Sequence, residues 1–503
     1  MKKLFALLLA VALLCSLTVV AFADDGYTIT INAATSGHTY EAYQVFAGSL
    51  GENGKLGNIA WGDGVNSSEL LTALKAEAAF KDCTDATSVA EVLSAMEEDA
   101  EALKQFAGVV GANLTGVMTA STAEGTTYTI DVAEAGYYFI KDENNSLDDE
   151  YNAYTRFILK VTNDTAVTAK MDVPEIVKKI KDTNDTTGVT SDWQDSADYD
   201  IGDVIPYQIT ATLAGNVSEY DSYKVKITDT MSKGLTYKGG ATIYVGVTNV
   251  TDKFDVEVTT DEETGETTLV FTCDNVTDFA GNNSEIVITY SAELNKDAII
   301  GSAGNPNTVY MEYSNNPNSE QDGSGENTGK TPTDTVIAFT YKVVVDKVDE
   351  SGVSLTGAQF TLEKQTFVNG EEVWTSVGEA VVTEGVTFTF NGLDDGTYRL
   401  TETTTPAGYN AIAPIVFTVE ATHDEEADAP ALRTLTGEAV TGEIQFTVDA
   451  EDEDALNTTV VNNSGTILPG TGGMGTTLFY AVGALLLLGA IVVLFSRKRV
   501  DAE

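Results

Sequence analysis

The chain has 503 residues and a formal net charge of −49, with 77 Asp and Glu residues against 28 Lys and Arg residues. Such an acidic surface repels nucleic acid and anionic lipid, so nucleic-acid binding is excluded, and it favours solubility. At about 150 residues per domain, this length predicts about three domains. The chain has two histidines, His38 and His423, and neither lies in a recognisable catalytic setting. No nucleophile–base pair is apparent, and we predict no enzymatic turnover.

The first 23 residues have the layout of a secretory signal peptide. Met1-Lys-Lys3 is a short basic start, Leu4 to Val20 is apolar, and Ala21-Phe-Ala23 fits the small-x-small cleavage rule. We therefore predict a signal peptide over 1–23 and a mature chain that begins at Asp24. The bulk of the protein is then expected outside the membrane.

Residues 24–168 are predicted to form a first β-domain with a helical insertion. Tyr27–Asn32 alternates apolar and polar residues as strands do, and strands return after the insertion. Over 67–113 the apolar period becomes helical, and Ser88-x-x-Glu91 predicts a capping box. The acidic loop 142–150 could hold a calcium ion, but it lacks the ligand spacing and central glycine of a known calcium loop, so a solvated charged loop is the favoured interpretation.

Short strands and turns continue to residue 465 and indicate two further domains. We predict a middle domain over 169–320 and a C-terminal domain over 336–465. The segment 321–335 is polar and rich in Gly, Ser, Asn and Thr, which predicts a linker. The predicted fold class is therefore all-β, with tandem immunoglobulin-like β-sandwiches. Cys83 and Cys273 lie far apart in the mature chain, so a disulfide framework is not expected.

Several predicted strands carry a polar residue on the face that is otherwise apolar. Side chains two positions apart point the same way. In the C-terminal domain the residues are Lys347 with Val343 and Val345, Glu402 with Tyr398 and Leu400, and Asn462 with Val460. The same pattern in the middle domain gives Lys178 with Ile176 and Ile180, Asp229 with Val225 and Ile227, and Asn307 with Val309 and Met311. On this pattern alone, half-exposed edge strands with extended lysines are the favoured interpretation.

If these residues are buried, their chemistry changes. A buried lysine, acid and asparagine are costly unless they satisfy one another. Burial lowers the pKa of the lysine and raises the pKa of the acid. A neutral amine beside a protonated carboxyl group can attack the amide carbon, release ammonia and leave an isopeptide bond, with proximity supplying the rate.

Each of the three predicted domains carries recognisable motifs. In the C-terminal domain, Asp346-Lys-Val-Asp349 with Leu355-Thr-Gly-Ala-Gln-Phe360 resembles the opening of a Cna B-type domain, and Tyr398-Arg-Leu-Thr-Glu-Thr403 with Pro406-Ala-Gly-Tyr409 resembles the pilin E-box. Gly37 to Phe46 is similar to a pilin N-terminal domain, and a pilin middle domain is resembled by Pro174 to Lys178, Ile227 to Leu235 and Tyr313 to Pro317. Over most of its length the chain therefore resembles Gram-positive sortase-assembled backbone pilins. The resemblance implies tandem Cna A/B-type sandwiches.

The resemblance also implies two isopeptide bonds. It pairs Lys178 with Asn307, promoted by the carboxyl group of Asp229. It likewise pairs Lys347 with Asn462, promoted by Glu402.

The family's usual pilin motif, with a Tyr-Pro-Lys-Asn core, is absent from this sequence. The equivalent stretch is Val167 to Pro174, in which Lys170 is the natural substitute as the polymerising lysine. Lys179 and Lys181 are alternatives, expected on the solvent face of the next strand.

The segment 466–503 contains the pentapeptide Leu468, Pro469, Gly470, Thr471 and Gly472. An apolar run over 478–495 predicts a transmembrane helix, and the tail 496–503 carries three consecutive cations from Arg497 to Arg499, which favour the cytoplasmic side. This order of elements resembles an LPXTG-type cell-wall sorting signal. The resemblance implies that a sortase cuts between Thr471 and Gly472 and transfers the Thr471 carbonyl to an amine. A plain membrane anchor without cleavage is the alternative.

Together these resemblances imply the shaft subunit of a sortase-polymerised fimbria that is secreted and covalently anchored to the cell wall. The implied partners are a sortase, other pilin subunits in a covalent head-to-tail homopolymer, and peptidoglycan, with membrane contact only before sorting. Host surface ligands are left open. No cofactor and no metal are expected, and the only chemistry is the formation of the chain's own isopeptide bonds. The alternative is a single-copy wall-anchored adhesin or minor pilin with the same domains.

Overall fold

The computed structural model describes residues 26–465 except 53, 97–100, 148–149, 170–171, 319–327 and 449–454, together with 480, 482–488 and 490. Within these residues the chain is mostly β-strand, so the all-β prediction is confirmed. Two compact units are formed by Met1–Lys342, Gly392–Asp395 and Glu420–Leu435, and by Val343–Asn391, Gly396–Val419 and Thr436–Glu503.

Several predicted segments lie outside the described residues. These are the signal peptide 1–23, Lys170, the sorting pentapeptide 468–472 and half of the predicted transmembrane segment 478–495. Among the residues that are described, no helix has both the length and the apolar character needed to span a membrane. The predicted transmembrane helix is therefore not supported.

The N-terminal domain combines two sheets with three helices. Its elements are β1 Tyr27–Asn32, β2 Tyr40–Leu50, β3 Leu56–Trp61, α1 Ser67–Leu74, α2 Ala86–Ser94, α3 Glu101–Gly111, β4 Thr119–Ala120, β5 Thr122–Glu124, β6 Thr127–Val132, β7 Gly136–Asp142, β8 Arg156–Val161 and β9 Thr165–Thr168. The strand orders are β5-β6-β1-β9 and β3-β2-β7-β8, with β4 beside β2. The inner sheet faces share a core around Ile29 and Tyr128, while the helices bury Phe106 and Val110 against Phe46.

The helical insertion lies where the sequence predicts it, but the cap of α2 differs. The carboxylate of Asp85 accepts a hydrogen bond from the Ser88 backbone N–H at 2.8 Å, and Ser88 Oγ accepts one from the Asp85 N–H at 3.0 Å. Ser88 is therefore inside the helix, and the predicted Ser88–Glu91 capping box is not formed. The reason is that Asp85, itself a strong N-cap residue, stands three positions earlier and starts the helix there.

The middle domain is a sandwich of two sheets. Its strands are β10 Glu175–Ile180, β11 Thr183–Asn184, β12 Val189–Thr190, β13 Ser196–Asp198, β14 Val204–Thr212, β15 Val225–Met231, β16 Leu235–Tyr237, β17 Thr242–Val245, β18 Thr248–Asn249, β19 Asp255–Thr260, β20 Thr267–Cys273, β21 Glu285–Leu294, β22 Asn305–Ser314, β23 Thr328–Lys330 and β24 Asp334–Phe339. One sheet has the order β10-β14-β21-β17-β18 and the other β13-β24-β22-β15-β20-β19. Alternate residues of both sheets fill one apolar core.

The predicted linker 321–335 needs correction at its C-terminal end. Strands β23 and β24 both pair with β22, so the middle-domain sheet continues to Phe339. Gly329 lies so close to Tyr313 that an added Cβ would be 2.7 Å from the tyrosine ring. This glycine therefore marks close packing, although its polar surroundings in sequence are typical of a linker.

The C-terminal domain is again a pair of sheets. Its strands are β25 Tyr341–Asp349, β26 Gln359–Val368, β27 Glu371–Ser376, β28 Val381–Thr383, β29 Thr387–Leu393, β30 Gly396–Thr404, β31 Ile415–His423, β32 Leu432–Ala439, β33 Phe446–Val448 and β34 Ala455–Asn462. The orders are β28-β29-β25-β34-β33 and β27-β26-β30-β31-β32. The first strand, β25, and the last, β34, are therefore neighbours in one sheet.

Candidate functional site

The middle domain brings Lys178, Asp229 and Asn307 together in its core. Lys178 lies on β10 of one sheet, whereas Asp229 and Asn307 lie on the adjacent strands β15 and β22 of the other. All three side chains are completely buried. Their burial follows the two-residue period of the strands, since Ile176 and Ile180 on the same face of β10 are buried as well.

The hydroxyl group of Tyr290, on β21, connects the three side chains. It accepts hydrogen bonds from Lys178 Nζ and from Asn307 Nδ2, each at 2.7 Å, and donates to Asp229 Oδ1 at 2.9 Å. Lys178 Nζ also contacts Asp229 Oδ2 directly. Lys178 Nζ and Asn307 Nδ2 each lie 2.7 Å from the same hydroxyl oxygen, so these two nitrogens cannot be farther apart than twice that distance.

Burial drives this cluster toward its uncharged form. It lowers the pKa of Lys178, and the attraction of Asp229 only partly opposes the shift. Burial also raises the pKa of the Asp229 carboxyl group against the pull of the lysine. Both shifts favour a neutral amine beside a protonated acid. In addition, Asn307 Oδ1 is buried without a hydrogen-bond partner, so this carbonyl oxygen can accept one from the acid.

In the C-terminal domain, Lys347 on β25 and Asn462 on β34 occupy neighbouring strands, and both are completely buried. Lys347 Nζ donates to the carbonyl oxygens of Val348 at 2.8 Å and Val460 at 3.1 Å. Burial lowers the pKa of Lys347, with Glu402 opposing the shift. The lysine therefore lies beside the asparagine's strand with a destabilised positive charge.

Glu402, on β30 of the opposite sheet, contacts the asparagine. Asn462 Nδ2 donates to Glu402 Oε2 at 3.1 Å and to the carbonyl oxygen of Asn410 at 3.0 Å. The other oxygens of the two side chains, Glu402 Oε1 and Asn462 Oδ1, are buried and have no hydrogen-bond partner. Unlike Asp229, Glu402 is only half-buried, because it lies near the end of its strand.

The two alternative polymerising lysines are both engaged with neighbouring groups. Lys179 Nζ forms an ion pair with Asp195 Oδ1 at 2.7 Å, and its side chain is 23% exposed. Lys181 Nζ donates to the carbonyl oxygen of Ser191 at 3.3 Å and lies 5.1 Å from the centre of the Trp193 ring.

Tyr290 belongs to the middle-domain cluster but was not among the site residues predicted from the sequence. A signal was present, because Tyr290 shares the inward face of β21 with Ile286 and Ile288. Its partner across the sheet is Tyr207, which shares a face of β14 with Ile205 and Ile209. A tyrosine hydroxyl in an aliphatic core needs a polar partner, and a lysine, an acid and an asparagine are predicted to point into the same core.

The domains around both clusters match known families. Residues 201–317 match the family described as Gram-positive pilin backbone subunit 2, Cna-B-like domain. Residues 341–430 match the prealbumin-like fold domain family. The predicted resemblance to backbone pilins is thereby confirmed for these two domains.

Known proteins are similar to this chain over most of its length. The trypsin-resistant surface T6 protein of Streptococcus pyogenes serotype M6 is 25% identical over 454 residues, which cover 77% of this chain and 79% of the relative. The solved structure of the T6 backbone pilin of the same organism superimposes with a TM-score of 0.52 at 17% identity, covering 89% of this chain and all of the other. The full-length major pilin SpaD of Corynebacterium diphtheriae gives a TM-score of 0.46 at 16% identity, over 89% and 99% of the two chains.

Proposed function

We propose that this chain is the shaft subunit of a sortase-polymerised, wall-anchored fimbria, and that two intramolecular isopeptide bonds stabilise it. The observation that carries the proposal is the fully buried cluster of Lys178, Asp229 and Asn307 inside a domain of the backbone-pilin family. A buried lysine side chain that forms no covalent bond would destabilise the folded domain. Conversion of its amine to a neutral amide removes this destabilisation.

The reaction in the middle domain begins with the unprotonated Nζ of Lys178. It attacks Cγ of Asn307, while the protonated carboxyl group of Asp229 donates a hydrogen bond to the amide oxygen and stabilises the charge that develops there. A bond forms between Cγ and Nζ, and the bond between Cγ and Nδ2 breaks. One proton passes from Nζ to Nδ2 through the carboxyl group, ammonia leaves, and Asp229 is regenerated.

The second bond would join Lys347 and Asn462 by the same chemistry, with Glu402 as the acid. Here the unpartnered Asn462 Oδ1 and Glu402 Oε1 are the atoms that a protonated carboxyl group would connect. Since β25 and β34 are the first and last strands of the domain, this bond would link its two ends covalently. Tension on the shaft would then load a covalent bond instead of peeling the strands apart.

The function also requires sorting, and Thr471 is the predicted acyl donor. We expect Thr471→Ala to leave the protein held at the membrane and absent from cell-wall fractions, because the sortase can no longer form its acyl intermediate. The matched control is Thr476→Ala, which changes a threonine outside the pentapeptide. The measurement is an immunoblot of wall and membrane fractions. Normal wall incorporation of the Thr471→Ala variant would refute the sortase proposal.

A second prediction concerns the hydroxyl group of Tyr290. Tyr290→Phe should slow formation of the Lys178–Asn307 bond at least tenfold, because its hydroxyl makes three buried hydrogen bonds to the reacting groups and the loss of even one, worth about 1–1.5 kcal/mol, corresponds to about tenfold. Tyr244→Phe is the control, since Tyr244 lies on β17 beside β21 and its side chain is exposed. The measurement is time-resolved intact mass of chain newly made by cell-free synthesis, followed from the uncross-linked to the cross-linked mass. Equal rates for the wild type and Tyr290→Phe would exclude a role for this hydroxyl.

A further inference from the structure

A third cluster of ionisable side chains lies within the first compact unit, apart from both isopeptide clusters. Asp182 follows β10, Asp198 ends β13, and His423 ends β31. One potential ligand atom from each of these three residues lies within 4.8 Å of the other two. These residues are far apart along the chain, so no local sequence pattern links them.

The hydrogen bonds around His423 fix which ring nitrogen faces the acids. Ser196 Oγ donates its one proton to the carbonyl oxygen of Asp424 at 2.5 Å, so at the 2.8 Å contact with His423 Nδ1 it must be the acceptor. Nδ1 therefore carries a proton, and in the neutral ring Nε2 presents its lone pair. This lone pair faces Asp182 Oδ2 and Asp198 Oδ1, each 3.8 Å away.

Asp198 gives an independent indication of a missing positive partner. Its side chain is 3% exposed, and its Oδ2 is buried without a well-formed hydrogen bond, although the neutral hydroxyl of the buried Tyr341 interacts with this carboxylate. A buried carboxylate oxygen in this state is costly unless a cation or a proton satisfies it. Carboxylate oxygens of Asp394 and Asp395 also lie within 4.8 Å of Asp198, which increases the negative potential at this point.

We propose that Asp182, Asp198 and His423 bind a divalent transition-metal ion of the Zn²⁺ or Mn²⁺ type. An imidazole nitrogen with two carboxylates suits these ions, whereas Ca²⁺ prefers six to eight oxygen ligands. Ligands about 2.1 Å from a tetrahedral metal lie about 3.4 Å from one another, so the observed 3.8 Å separations need only a small contraction. Ser196 would orient the imidazole, as partners of metal-bound histidines commonly do.

Protons compete with a metal ion for these carboxylate and imidazole groups. Burial and the neighbouring Asp198 raise the pKa of Asp182 to about 8. Burial also disfavours the charged form of His423, but the carboxylates of Asp198 and Asp182 outweigh it and raise the pKa of the imidazole. A metal ion would replace these protons with one divalent charge.

The test is metal binding to the purified full-length chain after treatment with EDTA. Equilibrium dialysis against ZnCl₂ or MnCl₂, with excess CaCl₂ to saturate weak surface sites, should give one tightly bound ion per chain. Asp198→Asn and His423→Gln should each weaken binding at least tenfold. Asp297→Asn, at an exposed acid, is the matched control and should bind like the wild type. No stoichiometric ion in the wild type, or unchanged binding in Asp198→Asn, would overturn the proposal.

A second measurement on the wild type does not depend on how the variants fold. The chain contains two histidines, so a ¹⁵N-imidazole spectrum reports on each separately. Addition of Zn²⁺ should shift Nε2 of His423 and leave the ring of His38 unchanged, because His38 Nδ1 is paired with Asp142 Oδ1 at 2.8 Å. An unchanged His423 signal would mean that protons alone satisfy the cluster and would contradict the metal site.

Discussion

Replacement of Asp229 by alanine is expected to leave the Lys178–Asn307 bond unformed and to lower the unfolding temperature of the middle domain by on the order of 10–20 °C. The bond would close a loop of roughly 130 residues, for which a chain-entropy treatment gives a contribution of roughly 5 kcal/mol. In a domain of this size, each kcal/mol corresponds to about 2–4 °C in Tm. The buried amine left without its acid would add to the loss.

The matched control for this prediction is Glu402→Ala. It should remove the other bond and leave the thermal transition of the middle domain unchanged, because Glu402 contacts Asn462 and not the middle-domain cluster. The measurement is calorimetry combined with intact mass for each variant. If Asp229→Ala retained both the cross-link and the wild-type Tm, Asp229 could not be the promoting acid.

The second large effect is expected at the polymerising lysine. Lys170→Ala should abolish the SDS-resistant ladder of cell-wall extracts while monomer remains anchored through Thr471. The acceptor amine must be accessible to a sortase acyl-enzyme and close to a domain junction, and Lys170 falls between the end of β9 and the start of β10. Lys178 is excluded because it is completely buried.

Lys179→Ala and Lys181→Ala are the controls for the ladder experiment, and both should retain it. Lys179 is already paired with Asp195, and Lys181 is held against Ser191 and Trp193. Loss of the ladder in either control, with survival in Lys170→Ala, would move the acceptor site but keep the shaft function. A ladder that survives all three changes, or is absent from the wild type, would favour the single-copy adhesin.

Much of the site could be predicted because strand periodicity is local. Lys178 is buried because Ile176 and Ile180 flank it at two-residue spacing, and Asn462 is buried with Val460 for the same reason. These patterns identified inward-facing polar residues, although without the family resemblance they favoured an exposed edge strand. The pairing of lysine with asparagine depends on which strands become neighbours, and the family resemblance supplied that information.

The remaining features depend on contacts between distant segments. Tyr290 joins the middle-domain cluster only because β14 and β21 stack it against Tyr207. Strand β23 is Thr-Gly-Lys, and its strand conformation is set by pairing with β22. His423 meets Asp182 and Asp198 through tertiary packing. No local pattern in the sequence predicts these three sets of contacts.

The most direct test of the covalent account is the intact mass of the soluble fragment Asp24–Ser464. Each isopeptide bond releases one ammonia molecule, so the wild-type fragment should be lighter than its sequence mass by two ammonia molecules. Asp229→Ala and Glu402→Ala should each restore one of them. A wild-type fragment with the full sequence mass would contradict the proposed cross-links.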